Sequence, residues 1–263
     1  GLGDVYKRQF QTFKKYKDLI VYLAKNQISL RYRKSYLGML WSLLNPLLTM
    51  IVLTMVFSTI FKNQIENFPI YLMCGRLFYD YNSEATKTSL NSVVSNSSLI
   101  KKIYIPKYVF PLSSSIAALV NMFFSLLALI IVMFCTHLPL RWTMLLFWLP
   151  MVYVFVFSTG LGLVLSAINV FFRDIKHLYG VLLTMWLYLT PIFYPFESVP
   201  EMVQNIIRLN PLYHYIEMFR GLIMYGTLPT LRENLLCGGM GIGILLIGVL
   251  FFKKTQDRFI LHI

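Results

Sequence analysis

Charged side chains are scarce in this sequence of 263 residues. They make up 13% of the chain, where a soluble domain carries about 25%. Hydrophobic residues make up 57%, and the mean hydropathy is +0.63. This composition argues against an ordinary soluble enzyme. The chain is expected to lie in a membrane and to be divided into spans of about 20 residues each.

Cysteine and histidine are also few. The cysteines Cys74, Cys135 and Cys237 lie far apart and form no CxxC pair, which argues against a disulfide framework or a thiolate metal site. The histidines form no HExxH motif, and a GxxxxGK[ST] loop is missing. The sequence therefore predicts no metal and no cofactor in this chain. A pump built on it would need a separate ATPase.

Long apolar stretches are abundant and predict six spans, at residues 38–61, 69–94, 112–136, 144–172, 178–194 and 235–252. The region 195–233 is too polar to cross a membrane, but its apolar residues recur at helical intervals, which predicts two short helices at the membrane interface. The predicted fold class is therefore all-α, a polytopic membrane protein with six transmembrane helices.

Acidic residues number 11 against 24 basic ones, a net charge of +13. Most of the excess lies outside the predicted spans, in residues 7–34, 101–107, 173–176 and 253–258. An even number of spans puts these segments on one side, and the positive-inside rule makes that side cytoplasmic. We therefore expect both termini in the cytoplasm. Orientation in a membrane explains the charge without a nucleic-acid partner.

Residues 1–36 form the predicted cytoplasmic N-terminal segment, which contains a basic amphipathic helix expected to lie along the inner leaflet. Its apolar face consists of Tyr16, Leu19, Ile20, Leu23 and Ala24. Arg31 and Arg33 follow at the membrane edge, on either side of Tyr32. Two interpretations stay open: the arginines are snorkelling anchors, or their guanidinium groups bind phosphate oxygens in pairs.

The second predicted span carries polar residues on one face. Arg76, Asp80, Glu84, Lys87 and Asn91 fall within an arc of about 80° on an α-helix. Charges of alternating sign at this spacing can pair along the helix, and an unpaired charge inside a bilayer is costly. The face is either a self-paired seam between packed helices or the wall of a hydrophilic pathway that contacts substrate.

Small residues at four-residue spacing occur in two other spans. Ser158, Gly162 and Ser166 lie in the fourth, and Gly239 and Gly243 in the sixth. Such spacing allows helices to approach closely, so both groups are predicted to mark helix packing.

Four ordered motifs make a family resemblance specific: LRYRKSYLGMLWSLLNP at 30–46, SSLIKKIYIPKYVFPL at 97–112, NVFFRD at 169–174, and TPIFYP at 190–195 followed by Asn210-Pro211. Together they resemble the permease subunit of type-2 ABC exporters that move lipid-linked O-antigen polysaccharide or teichoic acid. The resemblance covers about residues 10–263. It implies a homodimer in a bacterial inner membrane, two copies of a separate ATPase that binds ATP and Mg, and a lipid-linked polysaccharide as substrate.

The resemblance also implies roles by position. Residues 37–263 would form the permease domain, with external gate helices at 195–233. Arg31 and Arg33 would grip the pyrophosphate of a polyprenyl carrier. The segment 97–108 would be the cytoplasmic coupling element that docks on the ATPase, through Ile100, Lys101, Lys102, Ile103 and Lys107.

Two other functions remain as alternatives. An integral-membrane enzyme could act on polyprenyl-linked sugars with Asp80 or Glu84 as the base. Against it, a catalytic base needs a positioned partner and a pocket, whereas these carboxylates have charged neighbours along one helix. The other alternative is a related type-2 ABC exporter of a small lipophilic compound. Such a protein would lack the basic entrance formed by Arg31 and Arg33, and it would lack the coupling motif. We therefore expect a transport subunit and not an enzyme.

Overall fold

The computed structural model describes residues 16–30, 36–61, 65–103 and 105–259. All regular secondary structure within these ranges is helical, as the sequence predicts. We number the helices α1 (16–30), α2 (Leu40–Phe61), α3 (Phe68–Ser95), α4 (Ser97–Lys102), α5 (Val109–Cys135), α6 (Trp148–Phe171), α7 (Ile175–Tyr188), α8 (Glu201–Arg208), α9 (Pro211–Arg220) and α10 (Leu231–Thr255).

Four stretches of the described residues are long and apolar enough to cross a membrane: Leu40–Phe57, Val109–Cys135, Trp142–Phe171 and Leu231–Arg258. They correspond to the first, third, fourth and sixth predicted spans. The second predicted span corresponds to the 28-residue α3, whose charged residues distinguish it from these four apolar stretches. The fifth is α7, whose 14 residues make about 21 Å of helix, because the helix ends before Pro191.

Helix α3 lies at the centre of the bundle. It packs mainly against α5 and α6, and α10 packs against the other side of α6. The short α9 fits between these helices, where the rings of Phe78 and Phe219 meet with centroids 5.0 Å apart. In contrast, α2 and α7 lie at the periphery and leave many apolar side chains exposed.

A second cluster of buried residues joins α1, α4, the start of α5, the end of α6 and the end of α10. Ile20 and Leu23 of α1 contribute to it, together with Ile100 of α4 and Phe252 of α10. The basic segments of the described chain therefore lie at one end of the bundle, which we call the basic end. The apolar face of α1 is covered here by protein, because the neighbouring helices offer it an apolar surface.

The small residues of α6 mark helix packing, as predicted. A Cβ atom added at Gly162 would lie 2.8 Å from the Cβ of Ser89 on α3. The prediction for Gly239 and Gly243 is wrong within this chain, since a Cβ there would meet no atom within 4 Å. Instead α10 approaches α6 through Gly248, which lies about 180° around the helix from Gly239.

Candidate functional site

The polar face of α3 has two halves with different surroundings. In the half nearer its N-terminus, Arg76 Nη2 lies 2.9 Å from Asp80 Oδ1, and both side chains are partly exposed. Pro46 and Met50 of α2 line the small recess beside this ion pair. This half is a self-paired seam between α2 and α3.

The other half of the polar face borders a groove. Glu84 Oε1 accepts a hydrogen bond of 2.6 Å from Asn121 Nδ2 on α5, whereas Lys87 and Asn91 are exposed. A cavity of about 550 Å³ opens here between α1, α3 and α5, a volume within the range of about 300–1,000 Å³ typical of ligand sites. The polar residues that line it include Gln27, Glu84, Lys87, Asn91, Ser114 and Asn121. The four predicted charged residues are thus divided between a seam and a groove.

Helix α1 closes one side of this groove. Gln27 Nε2 donates a hydrogen bond of 3.1 Å to Ser114 Oγ on α5, while Ile20 and Ala24 are buried on the adjoining face. Leu30, the last residue of α1, lines the cavity. The predicted phosphate ligands Arg31 and Arg33 lie outside the described residues.

A hydrogen-bond network connects the end of α7 to α9. Asn210 Oδ1 accepts from Trp186 Nε1 at 2.7 Å, and Asn210 Nδ2 donates to Thr190 Oγ1 at 2.8 Å. The same carboxamide caps α9 by accepting from the Leu212 amide at 3.0 Å, and Pro211 suits the first position of the helix. Asn210 therefore ties together two of the sequence motifs, at 190–195 and 210–211.

Arg220 is the largest fully buried side chain among the described residues. Its Nη1 donates to the Pro191 carbonyl and to Glu217 Oε1, both at 2.9 Å, and Nη2 donates to the Tyr71 carbonyl at 3.1 Å. The guanidinium carbon lies 3.4 Å from the centroid of the Tyr71 ring. One side chain thus holds α9, the N-terminal turns of α3 and the turn after α7 together.

Arg220 is not among the site residues predicted from the sequence. A usable signal was present, since it is one arginine in a run of apolar residues at helical spacing, three positions after Glu217. Such an arginine needs a partner inside the protein.

An aromatic and charged surface lies beside this network. The rings of Phe196 and Tyr213 stack with centroids 5.1 Å apart, and the Arg208 guanidinium carbon lies 5.6 Å from the centroid of Phe196. Burial, together with the Glu217 carboxylate, raises the pKa of Tyr213 to about 12. The phenol of Tyr213 therefore stays protonated further into the alkaline range than an ordinary tyrosine does.

Helix α4 presents a small basic surface. Lys101, Lys102 and Ile103 are exposed, but Ile100 is buried in the cluster at the basic end. Lys107 Nζ donates to the Gln256 carbonyl, and burial lowers the pKa of this amine against the opposing effect of Asp257. Of the five residues predicted to contact a partner, the structure leaves three facing outward and engages Ile100 and Lys107 within the chain.

Residues 18–224 match the family described as ABC-2 type transporter. Because the match covers more than half of the sequence, the chain belongs to this family of membrane permeases. It is a multi-pass transport component rather than an enzyme, which confirms both predictions at this level.

Individual proteins are similar to the chain over most of its length. The chain is 30% identical over 247 residues to the O-antigen export system permease protein RfbA of Klebsiella pneumoniae, covering 92% of this chain and 93% of that protein. It is 28% identical over 247 residues to the RfbA of Myxococcus xanthus, covering 93% and 95%. The polysialic acid transport protein KpsM of Escherichia coli is 24% identical over 220 residues, covering 78% and 80%.

Proposed function

We propose that the chain is the transmembrane subunit of an ATP-driven exporter that moves a polyprenyl-pyrophosphate-linked polysaccharide, of O-antigen or teichoic acid type, across the bacterial cytoplasmic membrane. The observation that carries the proposal is the match, over nearly the whole chain, to permeases named for O-antigen export. The same class of exporter is implied by the four sequence motifs.

The polar groove supports a substrate path along α3. Charged groups inside a bilayer are retained where they are paired or face water, and Glu84 and Lys87 line a cavity large enough for sugar rings. In the proposal, Arg76, Asp80, Glu84 and Lys87 contact the glycan as it passes. Arg31 and Arg33 bind the pyrophosphate at the entrance, one and three residues beyond Leu30 at the groove edge.

The packing of the chain supports six spans with both termini in the cytoplasm. Helices α6 and α10 both end in the buried cluster at the basic end, although α10 begins about 38 Å away. The chain must cross the bundle between them, and α7 with the segment after it makes that crossing. The exposed lysines of this end favour the cytoplasmic side.

Two features support partners for the permease. The exposed apolar faces of α2 and α7 suit a second copy of the chain, which would complete the path in a homodimer. The outward-facing Lys101, Lys102 and Ile103 suit an acidic-rimmed groove on each of two ATPase copies, which hold ATP and Mg. In this proposal ATPase closure moves α4 and is transmitted to helices beside the path.

Reconstitution tests the proposed function. The chain and its partner ATPase are placed in vesicles with a labelled polyprenyl-pyrophosphate-linked glycan. We expect ATP-dependent transport, and a roughly tenfold loss in the double variant Arg31→Lys, Arg33→Lys, because lysine keeps the charge but lacks the bidentate fork. Modification of the glycan by the permease alone would favour the enzyme alternative. Full transport by the double variant would reject phosphate recognition.

Cysteine labelling tests the polar face of α3. In a background without the native cysteines, the single variants Glu84→Cys and Lys87→Cys should react with a small charged thiol reagent in membranes, and Asp80→Cys more slowly because it lies in the seam. The matched control is Leu246→Cys, an exposed apolar position on α10. Labelling of position 246 at the rate of position 87, or no labelling at 80, 84 and 87, would contradict the pathway.

A further inference from the structure

A second cavity, of about 530 Å³, lies between α6, the C-terminal half of α10 and the segment that leads into α5. Leu163, Leu245 and Val249 line one part of it, and Lys107, Lys253 and Asp257 line another. Leu245 lies on α10 and Asp257 lies in the turn that follows it, and the twelve positions from one to the other correspond to about 18 Å of helix. The cavity is therefore elongated, apolar along most of its length and charged where α10 ends at the basic end.

The cavity is separate from the polar groove and opens sideways. None of its lining residues belongs to α3. Val249, which lines it, is 44% exposed, and the neighbouring Leu250 is 67% exposed. These positions lie in a stretch apolar enough to cross a membrane. In a bilayer the opening therefore faces lipid rather than the path proposed for the glycan.

The charges at the cavity mouth are predominantly positive. Lys253 is exposed, and Lys254 and Arg258 follow in the same segment. Asp257 opposes them and lies near Lys107. Lys107 Nζ donates one hydrogen bond to the Gln256 carbonyl, but an ammonium group has three donors. The mouth can thus offer two ammonium groups to one anion.

We propose that this cavity binds one anionic phospholipid from the leaflet at the basic end. An acyl chain fills the apolar part between α6 and α10, and the lipid phosphate contacts Lys253 and Lys107. The length of the whole cavity, about 18 Å from its apolar end to its charged mouth, is comparable with one leaflet of hydrocarbon, about 15 Å. Basic pockets between transmembrane helices on the cytoplasmic side recognise anionic headgroups by this combination of contacts.

The position of the site gives the lipid a structural role. Residues 105–108 line the cavity and lie between α4 and α5. A bound phospholipid would hold this segment against α10 and so fix the base from which α4 projects. Phosphatidylglycerol is the matching probe, because it combines two acyl chains with one negative charge.

Native mass spectrometry of the purified full chain in detergent tests the proposal, with dioleoylphosphatidylglycerol and dioleoylphosphatidylcholine as probes. We expect tighter binding of phosphatidylglycerol and a loss of about fivefold in Lys253→Gln, the effect of one lysine near an anionic lipid. Lys254→Gln is the matched control, since Lys254 is exposed but does not line the cavity. Val249→Trp should fill the cavity and reduce binding, whereas Leu250→Trp should not.

Equal binding of the two lipids, or equal losses in the two lysine variants, would overturn the proposal. A polyprenyl phosphate serves as a third probe, and its preferential binding would also overturn the proposal, because the cavity would then hold the glycan carrier. The measurement uses neither ATP nor glycan, so its outcome is independent of the transport assay.

Discussion

Replacing Arg220 with methionine should lower the free energy of unfolding by about 3 kcal/mol. Removing one partner of a buried ion pair costs about 3–5 kcal/mol, and the lower value applies because Glu217 is 40% exposed and can be solvated. The substitution also removes the hydrogen bonds to the carbonyls of Pro191 and Tyr71. In a chain of this size the midpoint of thermal unfolding should fall by roughly 10 °C, measured on the purified permease by loss of the folded elution peak after heating.

Two further variants separate the role of Arg220 from a general effect of losing charge. Arg208→Met removes an arginine from α8 that stacks on Phe196 without burial, and it should shift the midpoint by less than a third as much. Arg220→Lys keeps the charge but loses the forked contact, so it should fall between the two. An unchanged midpoint for Arg220→Met would show that α9 is held by apolar packing alone.

Reversing the charge of both Lys101 and Lys102 to glutamate should weaken ATPase binding at least a hundredfold and abolish export. The two side chains are exposed at the basic end, and placing like charges against the acidic rim proposed for the ATPase would cost several kcal/mol. The measurement is co-purification of the ATPase with the tagged permease, with permease abundance in the same membranes as a check on insertion.

The matched control reverses two other exposed lysines at the same end, Lys17 and Lys25 on α1. This variant has the same change in net charge and should retain the ATPase. Unchanged co-purification in the Lys101, Lys102 variant, or an equal loss in the control, would reject α4 as the docking element.

Much of the helical framework could be predicted from local sequence. Runs of apolar residues long enough for a bilayer indicate α2, α5, α6 and α10 without any knowledge of their contacts. Apolar residues at helical spacing indicate α8 and α9 in the same way, and they identify the face of α1 that is buried. The fifth predicted span, 178–194, extends beyond the end of α7 at Tyr188, because the apolar composition continues past Pro191 although the helix ends before it.

Contacts between distant segments could not be predicted in this way. Arg220 bonds to the carbonyl of Tyr71, 149 residues earlier, and no local pattern specifies that pairing. The glycines of α10 show the same limit: spacing tells which small residues share a face, but not which face meets α6. The division of the α3 polar face follows from the same cause, because it depends on α2 covering one half and α1 approaching the other.

The contact between α6 and α10 has a mechanical consequence. At Gly160 and Gly248 the two backbones touch directly, so no layer of side chains separates them. Sliding of packed helices depends on side chains that can shift past one another, and at this crossing point none lies between the two backbones. We therefore expect α6 and α10 to move as one rigid unit. A displacement of Phe252 and Phe259 would therefore tilt both helices together. We expect the flexibility needed for transport to lie in α2 and α7, which are packed less closely.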